Sequence, residues 1–279
     1  DFHIQHAGRF HKKALDIKLD IKDRKGISTV LINMGYLYME ALDYERAIDH
    51  FNRAFNIQEE TGDKDGASIT LVNIANVAIK QGDTIQFLNM MERALKLRTE
   101  IKDERGIARC YNGLSIAYGV MPDKTKALEL LNKAAEINLR INEKDGLATT
   151  YLNLGIIYYR LNKLKLAKEY LEKSLGLCQE IADNKSAAAV YQSMAEIAFK
   201  EKDIKKALGL FEQGYNVATE CGSIKEQNNS AAGLAKCHSA LGNDIKAKKY
   251  RQEADELKKN LLKKVLINLK EPVFVADSL

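Results

Sequence analysis

The sequence predicts an all-α protein, a solenoid in which antiparallel helix pairs stack on one another. Small residues recur every forty residues, at Gly35, Ala75, Ser115, Gly155, Ala195 and Ala235. The apolar residues around each of them fall on one helical stripe, because side chains at positions i, i+3, i+4 and i+7 share a face. Only two prolines occur in 279 residues, which fits long uninterrupted helices. A period of this length indicates stacked repeats and not a globular core.

The small residues are predicted to be packing notches, places where two helices cross closely. In "YLNLGIIYYRL" (151–161), Gly155 stands inside an otherwise continuous apolar helix. Glycine in a helix interior costs roughly 0.5–1 kcal/mol relative to alanine, so its presence indicates that a side chain would not fit there. Gly35 has the same setting in "LINMGYLYMEA" (31–41). We interpret both glycines as structural and not catalytic.

The second half of each repeat predicts the partner helix. The stretch "ALDYERAIDHFNRAFNIQEE" (41–60) places Ala47, Phe51 and Ala54 on another apolar stripe. The two stripes of a repeat can be covered only by each other and by the next repeat. We therefore expect thirteen helices, one unpaired and then six pairs, with helix ends near Gly62, Gly82, Cys221 and Gly242.

The pattern divides the chain into four segments. Residues 1–24 are predicted to be the second helix of a truncated first repeat, and residues 25–245 about six helix pairs whose last helix continues onward. Residues 246–270 are predicted to form a basic terminal or capping helix, and residues 271–279 an extended tail or the start of a following domain. Because the chain starts at Asp1 without a methionine, we expect a piece of a longer protein.

The helix pairs resemble the tetratricopeptide repeat. That family carries a large residue, Leu-Gly and Tyr on the first helix and Ala, a large apolar residue and Ala on the second. The stretches "LINMGYLY" with "AIDHFNRA" (31–54) and "YLNLGIIY" with "AKEYLEKS" (151–174) match this pattern. The forty-residue spacing is similar to that of Pins-type polarity scaffolds, kinesin light chains and many bacterial signalling proteins. The resemblance implies a right-handed superhelix whose concave surface is lined by the first helix of each pair.

The formal net charge of +5 is concentrated near one end of the chain. Residues 246–270 hold nine Lys or Arg and three acids, while residues 1–245 are almost neutral. A nucleic-acid binder needs a basic stripe along its surface, so we expect no nucleic-acid partner. The basic run is interpreted as the solvated face of a capping helix. Contact with an acidic partner and self-association through this terminal helix are the alternatives.

The sequence carries no motif typical of catalysis or cofactor binding. His3 and His6 have a spacing that could share a metal, but two histidines near a terminus are more often a polar helix face. We therefore predict no enzymatic activity, no cofactor and no metal. The four cysteines lack C-x-x-C spacing, and no apolar run is long enough to span a membrane, which favours reduced thiols in a cytoplasmic protein.

A second face of each first helix, which we call the inner face, is predicted to bind a peptide. Polar amides recur there, whereas a merely solvated face would carry Lys and Glu. A carboxamide both donates and accepts, so it can hold a peptide backbone regardless of the peptide's side chains. The candidate residues are Asn33, Tyr36, Asn73, Asn76, Arg109, Asn112, Asn153, Tyr159, Arg160, Gln192, Glu196 and Lys200. The alternative is that the asparagines bond to neighbouring repeats.

Two functions stay open at this point. The first is a non-catalytic interaction scaffold that holds a peptide segment of a protein partner in its concave groove. The second is the N-terminal sensory or regulatory region of a larger signalling protein with a PAS, histidine kinase or cyclase domain downstream. The second rests on "LKEPVFVADSL" (269–279), which resembles the start of a PAS domain.

Overall fold

The computed structural model describes the backbone of residues 2–269 and the side chains of residues 10–260. Residues 2–269 form thirteen helices and no strand. The helices are α1 (Phe2–Asp20), α2 (Arg24–Glu40), α3 (Tyr44–Thr61), α4 (Lys64–Lys80), α5 (Thr84–Glu100), α6 (Glu104–Gly119), α7 (Thr125–Arg140), α8 (Lys144–Arg160), α9 (Leu164–Glu180), α10 (Asn184–Lys200), α11 (Ile204–Glu220), α12 (Ile224–Ala240) and α13 (Asp244–Leu269). The predicted all-α class and the thirteen helices are confirmed. The predicted tail and the PAS-like stretch lie outside the described residues, apart from Leu269.

The helices are joined by short turns that recur every twenty residues. Most turns contain one residue with a positive φ, such as Gly62 (71°) and Gly82 (81°). This left-handed residue lets the next N–H groups reach back to the last helical carbonyls, and Asp63 N donates to Gln58 O at 2.8 Å. The predicted helix ends near Gly62, Gly82, Cys221 and Gly242 are confirmed.

The turn between α6 and α7 departs from this rule because Pro122 occupies the twenty-residue position. Proline fixes φ near −65°, so it cannot supply the left-handed residue. The helix α6 ends at Gly119 and α7 begins only at Thr125. The side chain of Asp123 accepts a hydrogen bond from the backbone of Thr125 at 2.9 Å and orders the end of this longer turn.

Aspartates cap most of the helix beginnings. A side-chain carboxylate accepts a hydrogen bond from the backbone N–H three residues later, which satisfies a donor that the helix leaves unpaired. This holds for Asp23, Asp43, Asp63, Asp83, Asp103, Asp183 and Asp203. By contrast, α7, α8 and α9 follow Lys124, Glu143 and Lys163, none of which forms a side-chain cap bond.

The described chain divides into two compact units, which we call unit 1 (up to Cys110) and unit 2 (Tyr111–Leu262). Consecutive helices pack in pairs within each unit: α2 on α3 and α4 on α5 in unit 1, and α8 on α9 and α10 on α11 in unit 2. The core of each unit contains a fully buried phenylalanine from a second helix, Phe51 in unit 1 and Phe211 in unit 2.

The two glycines predicted to be packing notches face large core side chains. A Cβ atom on Gly35 would lie 2.5 Å from the ring of Phe51 in unit 1. A Cβ atom on Gly155 would lie 2.7 Å from Leu171 Cδ2 in unit 2. Real Cβ contacts are essentially never that short. The interpretation of both positions as packing notches is confirmed.

Candidate functional site

In unit 1 the inner-face side chains of α2 and α4 contact each other. The hydroxyl of Tyr36 donates a hydrogen bond to Oδ1 of Asn73 at 2.7 Å and so links two successive repeats. The ring of Tyr36 also packs edge-on against Phe51, with 5.6 Å between ring centroids. Asn33 and Asn76, two further candidates, are exposed.

Asn73 departs from the expected open position. Its side chain is only 4% exposed, so the amide does not face solvent as its place on the helix suggested. Oδ1 is held by Tyr36, whereas Nδ2 has no hydrogen-bond partner among the described residues. A buried donor without a partner costs about 1–3 kcal/mol. Asn73 therefore serves first as a contact between repeats, and its Nδ2 group stays buried without a partner among the described residues.

In unit 2 the buried amide of Asn112 is also used between repeats. Asn112 is 7% exposed and its Nδ2 donates to Oγ1 of Thr150 at 2.9 Å. Thr150 in turn accepts from Asn138 at 3.1 Å, and Asn153 donates to Asn112 Oδ1 at 3.5 Å. The expectation of a solvent-facing amide is corrected at Asn112, where the alternative of bonding between neighbouring repeats applies. Asn153 is half-buried.

The remaining inner-face candidates of α8 and α10 form charged and aromatic contacts in unit 2. The ammonium group of Lys200 lies 4.8 Å from the ring centroid of Tyr159. The carboxylate of Glu196 pairs with Lys236 of the next repeat at 3.7 Å. Gln192 is half-buried on the same helix as Glu196. These contacts form a polar surface that continues from one first helix to the next.

Arg160 has a structural role that the sequence did not indicate. Its guanidinium donates to the backbone carbonyl of Gly119 at 2.9 Å, at the C-terminus of α6. Terminal carbonyls of a helix have no partner within the helix, so Arg160 satisfies one of them. No backbone N–H of the longer turn that contains Pro122 bonds to this carbonyl, so a side chain from another repeat can bind it.

Unit 1 also contains a cleft of about 240 Å³ that the sequence did not predict. Side chains of α4 and α5 and the beginning of α6 line it. The lining residues are Ile69, Val72, Asn73, Met91, Arg98, Asp103, Arg105, Gly106, Arg109 and Cys110. Two of the predicted inner-face residues, Asn73 and Arg109, thus belong to one concave site.

At the register positions of this cleft the side chains differ from those of two other repeats. In unit 1, Gln58 accepts a hydrogen bond from Thr70 at 2.8 Å. In unit 2, Asn138 and Thr150 occupy the equivalent positions, eighty residues on, and are also bonded. Between them in the register stand Arg98 and Cys110, and no such hydrogen bond is formed there. In this repeat Arg98 and Cys110 stand in place of the hydrogen-bonded pair, and both line the cleft.

The charges of the cleft are not all neutralised within the protein. Arg98 lies only 13% exposed and binds two carboxylates, those of Asp65 and Asp103, at 2.5 Å each. Arg109 is exposed and, among the described residues, has no ion pair. Burial raises the pKa of the Cys110 thiol to about 11, so this thiol is neutral at the cleft wall.

Metal clusters and membrane-spanning helices have no candidate among the described residues. No group of three or more His, Cys, Asp or Glu is placed to hold a metal ion in that part of the chain. No helix there has the length and apolar character needed to cross a membrane. His3 and His6 lie outside the described side chains. The four cysteines are free thiols, and burial raises the pKa of Cys178 and Cys237 to about 11.

The tetratricopeptide repeat family model matches the chain four times, over residues 26–96, 66–140, 123–180 and 146–220. None of the curated proteins matches the chain significantly.

Several solved structures are similar to this chain. Aspartyl phosphate phosphatase F from Bacillus subtilis has a TM-score of 0.73 and 15% identity, covering 97% of this chain and 68% of that chain. A Rap protein in complex with competence and sporulation factor has a TM-score of 0.62 and 18% identity, covering 86% and 76%. A signal transduction ATPase with numerous domains and a tetratricopeptide repeat sensor, from Pyrococcus horikoshii, has a TM-score of 0.65 and 17% identity, covering 90% and 39%. At these identities the likeness shows the fold.

Proposed function

The chain belongs to the tetratricopeptide repeat family, and from this premise we propose that it is a non-catalytic scaffold whose inner face binds an extended peptide segment of another protein. The fold is typical of protein–protein interaction scaffolds. The observation that carries the proposal is the continuity of polar side chains between successive first helices. Contacts of this kind join Tyr36 to Asn73 in unit 1 and Tyr159 to Lys200 in unit 2.

Continuity matters because an extended segment needs a partner group at each repeat. The inner-face side chains hold one another in place, as Glu196 and Lys236 do. Groups that are already ordered lose less conformational entropy when a ligand binds. The similar Rap protein was crystallised with competence and sporulation factor, which supports ligand binding by this fold.

The proposal extends to the absence of catalysis and to the compartment. One similar structure is a phosphatase by name, but its likeness to this chain is one of fold. We propose that this chain turns over no substrate, that it binds no nucleic acid, and that it works in the cytoplasm. Free thiols at Cys110, Cys178, Cys221 and Cys237 support a reducing compartment.

The test is selection of peptides from a random library against the whole chain, followed by affinity measurement with fluorescently labelled peptides. The variants Asn76→Ala in unit 1 and Tyr159→Ala with Lys200→Ala in unit 2 remove inner-face groups. Each lost neutral hydrogen bond is worth about 0.5–1.5 kcal/mol, so we expect binding to weaken by roughly tenfold when several contacts are removed. Helicity and melting should change little at the exposed Asn76.

A matched control removes an exposed ion pair away from the inner-face set. Lys133 and Glu129 of α7 are 2.7 Å apart, and replacing both with alanine should leave peptide affinity unchanged. The proposal fails if no peptide is recovered, or if the control variant loses affinity as much as the inner-face variants do.

A second candidate function is that of a sensory region in a larger signalling protein. The similar Pyrococcus horikoshii protein has a tetratricopeptide repeat sensor, and this chain covers 39% of it. The measurement is the sequence of the complete gene product. A PAS, histidine kinase or cyclase domain after Leu279 would favour this candidate, and a natural stop there would contradict it.

A further inference from the structure

The cleft of unit 1 is too small for a drug-sized molecule but suits one side chain. Its volume of about 240 Å³ lies below the roughly 300–1,000 Å³ of pockets that hold such molecules. One wall is apolar and includes Ile69, Val72 and Met91. Ile69 is 40% exposed, so an aliphatic side chain placed in the cleft would remove apolar surface from water.

The polar groups at the cleft that lack a partner are donors. The two carboxylates nearby, Asp65 and Asp103, are both bound to Arg98. Arg109 is exposed and has no ion pair among the described residues, whereas the other unpaired donor, Asn73 Nδ2, is buried. A guanidinium binds a carboxylate well because its planar donors match the two oxygens. The cleft is therefore complementary to an acceptor, and above all to an anion.

Resting on the proposed peptide-binding function, we infer that this cleft selects a segment in which an aliphatic residue stands next to Asp or Glu. The aliphatic side chain enters the cleft between Ile69, Val72 and Met91, and the neighbouring carboxylate pairs with Arg109. Because the segment continues along the inner face, the carboxylate belongs to a side chain within the peptide and not to its C-terminus.

Two other repeats carry a hydrogen-bonded pair at the equivalent positions. The pairs Gln58 with Thr70 and Asn138 with Thr150 fill the equivalent space with buried hydrogen bonds. Arg98 and Cys110 line the cleft in place of such a pair, so the cleft distinguishes its repeat from these two.

The test uses the peptides recovered from the random library. Their sequences should be enriched in an aliphatic residue adjacent to Asp or Glu. With labelled synthetic peptides, replacing that acid by its amide should weaken binding about tenfold, as expected for a lost charge-assisted hydrogen bond. The variant Arg109→Glu should weaken binding of the acidic peptide at least as much, and it should bind the corresponding lysine peptide better than the unchanged chain does.

Two further variants separate the cleft from general charge effects. Ile69→Lys places a charge on the apolar wall and should reduce binding of the acidic peptide. Arg53→Glu is the matched control, because Arg53 also lies in unit 1 and its nearest acid, Asp49, is 3.8 Å away in the same helix. The control should leave affinity unchanged.

The outcomes distinguish this inference from the proposed function. If peptides bind and depend on Tyr159 and Lys200, but carry no aliphatic and acidic pair and ignore Arg109→Glu, the inference is wrong and the proposed function stands. If no peptide depends on the inner face, the proposed function fails. If amidating the peptide C-terminus abolishes binding while the side-chain amide does not, the carboxylate is a C-terminus and the inference is overturned.

Discussion

Helices α2–α5 of unit 1 and α7–α9 of unit 2 pack in the same way but begin differently. Each of the four helices in unit 1 follows an N-cap aspartate whose side chain caps it, whereas the N-cap residues of the three in unit 2 form no such bond. Both regions nevertheless keep a packing notch, at Gly35 and at Gly155. The difference indicates that side-chain packing determines where these helices form. The caps then add stability to them.

The backbone itself supports this conclusion. Lys163, ahead of α9, has φ −90° and ψ 67°, close to the φ −83° and ψ 74° of the capping Asp203. The chain therefore takes up the capping conformation even where no side chain can accept the bond. The side-chain bond is therefore not needed for this conformation, which the backbone bond from Lys163 N to Tyr158 O at 2.9 Å and the packed helix pair support.

The largest effect is expected from filling a packing notch. Gly155→Leu would drive its side chain into Leu171 and towards the carbonyl of Ala167, 3.3 Å from the added Cβ. Overpacking of this kind costs about 1–3 kcal/mol, and Gly35→Leu should cost a similar amount against Phe51. Urea denaturation of each variant measures the loss. Stability equal to that of the parent chain would show that packing is not the determinant.

Gly176 provides the matched control for the notch variants. It lies within α9, and a Cβ there would meet nothing within 4 Å. Gly176→Ala should therefore stabilise the chain by about 0.5–1 kcal/mol, as alanine normally does in a helix. A loss of stability here would show that open space around a helical glycine does not predict the effect of adding a side chain.

A smaller effect is expected from exchanging caps between the two regions. Asp63→Ala removes an acceptor 2.9 Å from Gly66 N and should cost about 0.5–2 kcal/mol. Lys163→Asp should do the reverse and stabilise α9, because the backbone already has the capping conformation. Hydrogen exchange of the first turn of each helix measures both changes. If Lys163→Asp does not slow hydrogen exchange in the first turn of α9, a side-chain cap there adds no measurable stability.

The smallest effect is expected from acid, through one buried histidine in each unit. Burial is the main cause that lowers the pKa of His50 in unit 1 and of His238 in unit 2 below the ordinary 6.5. Below pH 6.5 the two histidines bind more protons in the unfolded chain than in the folded chain. The free energy of unfolding therefore decreases as the pH falls below that value. Urea midpoints at about pH 7.5 and 5.5 should differ less in His50→Gln and His238→Gln than in the parent. An unchanged difference in both variants would assign the acid sensitivity to other groups.

The sequence predicted the fold because the fold depends on periodicity. The forty-residue repeat contains the helix count, the helix ends and the notch glycines, and each of these was confirmed. Asp63 and its equivalents recur in the same register, and an acid at the beginning of a helix is suited to capping it. Lys163 stands at a register position where Asp83 and Asp203 cap the following helices. This lysine in the sequence indicates that α9 has no aspartate cap.

The candidate site was harder to predict. The position of Asn73 or Asn112 on its helix tells which way the side chain points, but a neighbouring repeat decides whether it is covered. Tyr36 and Thr150 supply that cover through hydrogen bonds to residues 37 and 38 positions away. The cleft combines side chains from three helices, so no single stretch of sequence displays it. Binding through the inner-face residues stays a prediction.

The regular spacing of the turns limits how the length of this chain can change. Left-handed residues recur at twenty-residue steps from Lys22 to Gly242, with Pro122 as the exception. A gene duplication or deletion of forty residues that begins at a turn would rejoin a second helix to a first helix in phase. A change of twenty residues would keep the turns but join two helices of the same kind, whose apolar stripes are not shaped for each other. Viable relatives should therefore differ in length by whole helix pairs.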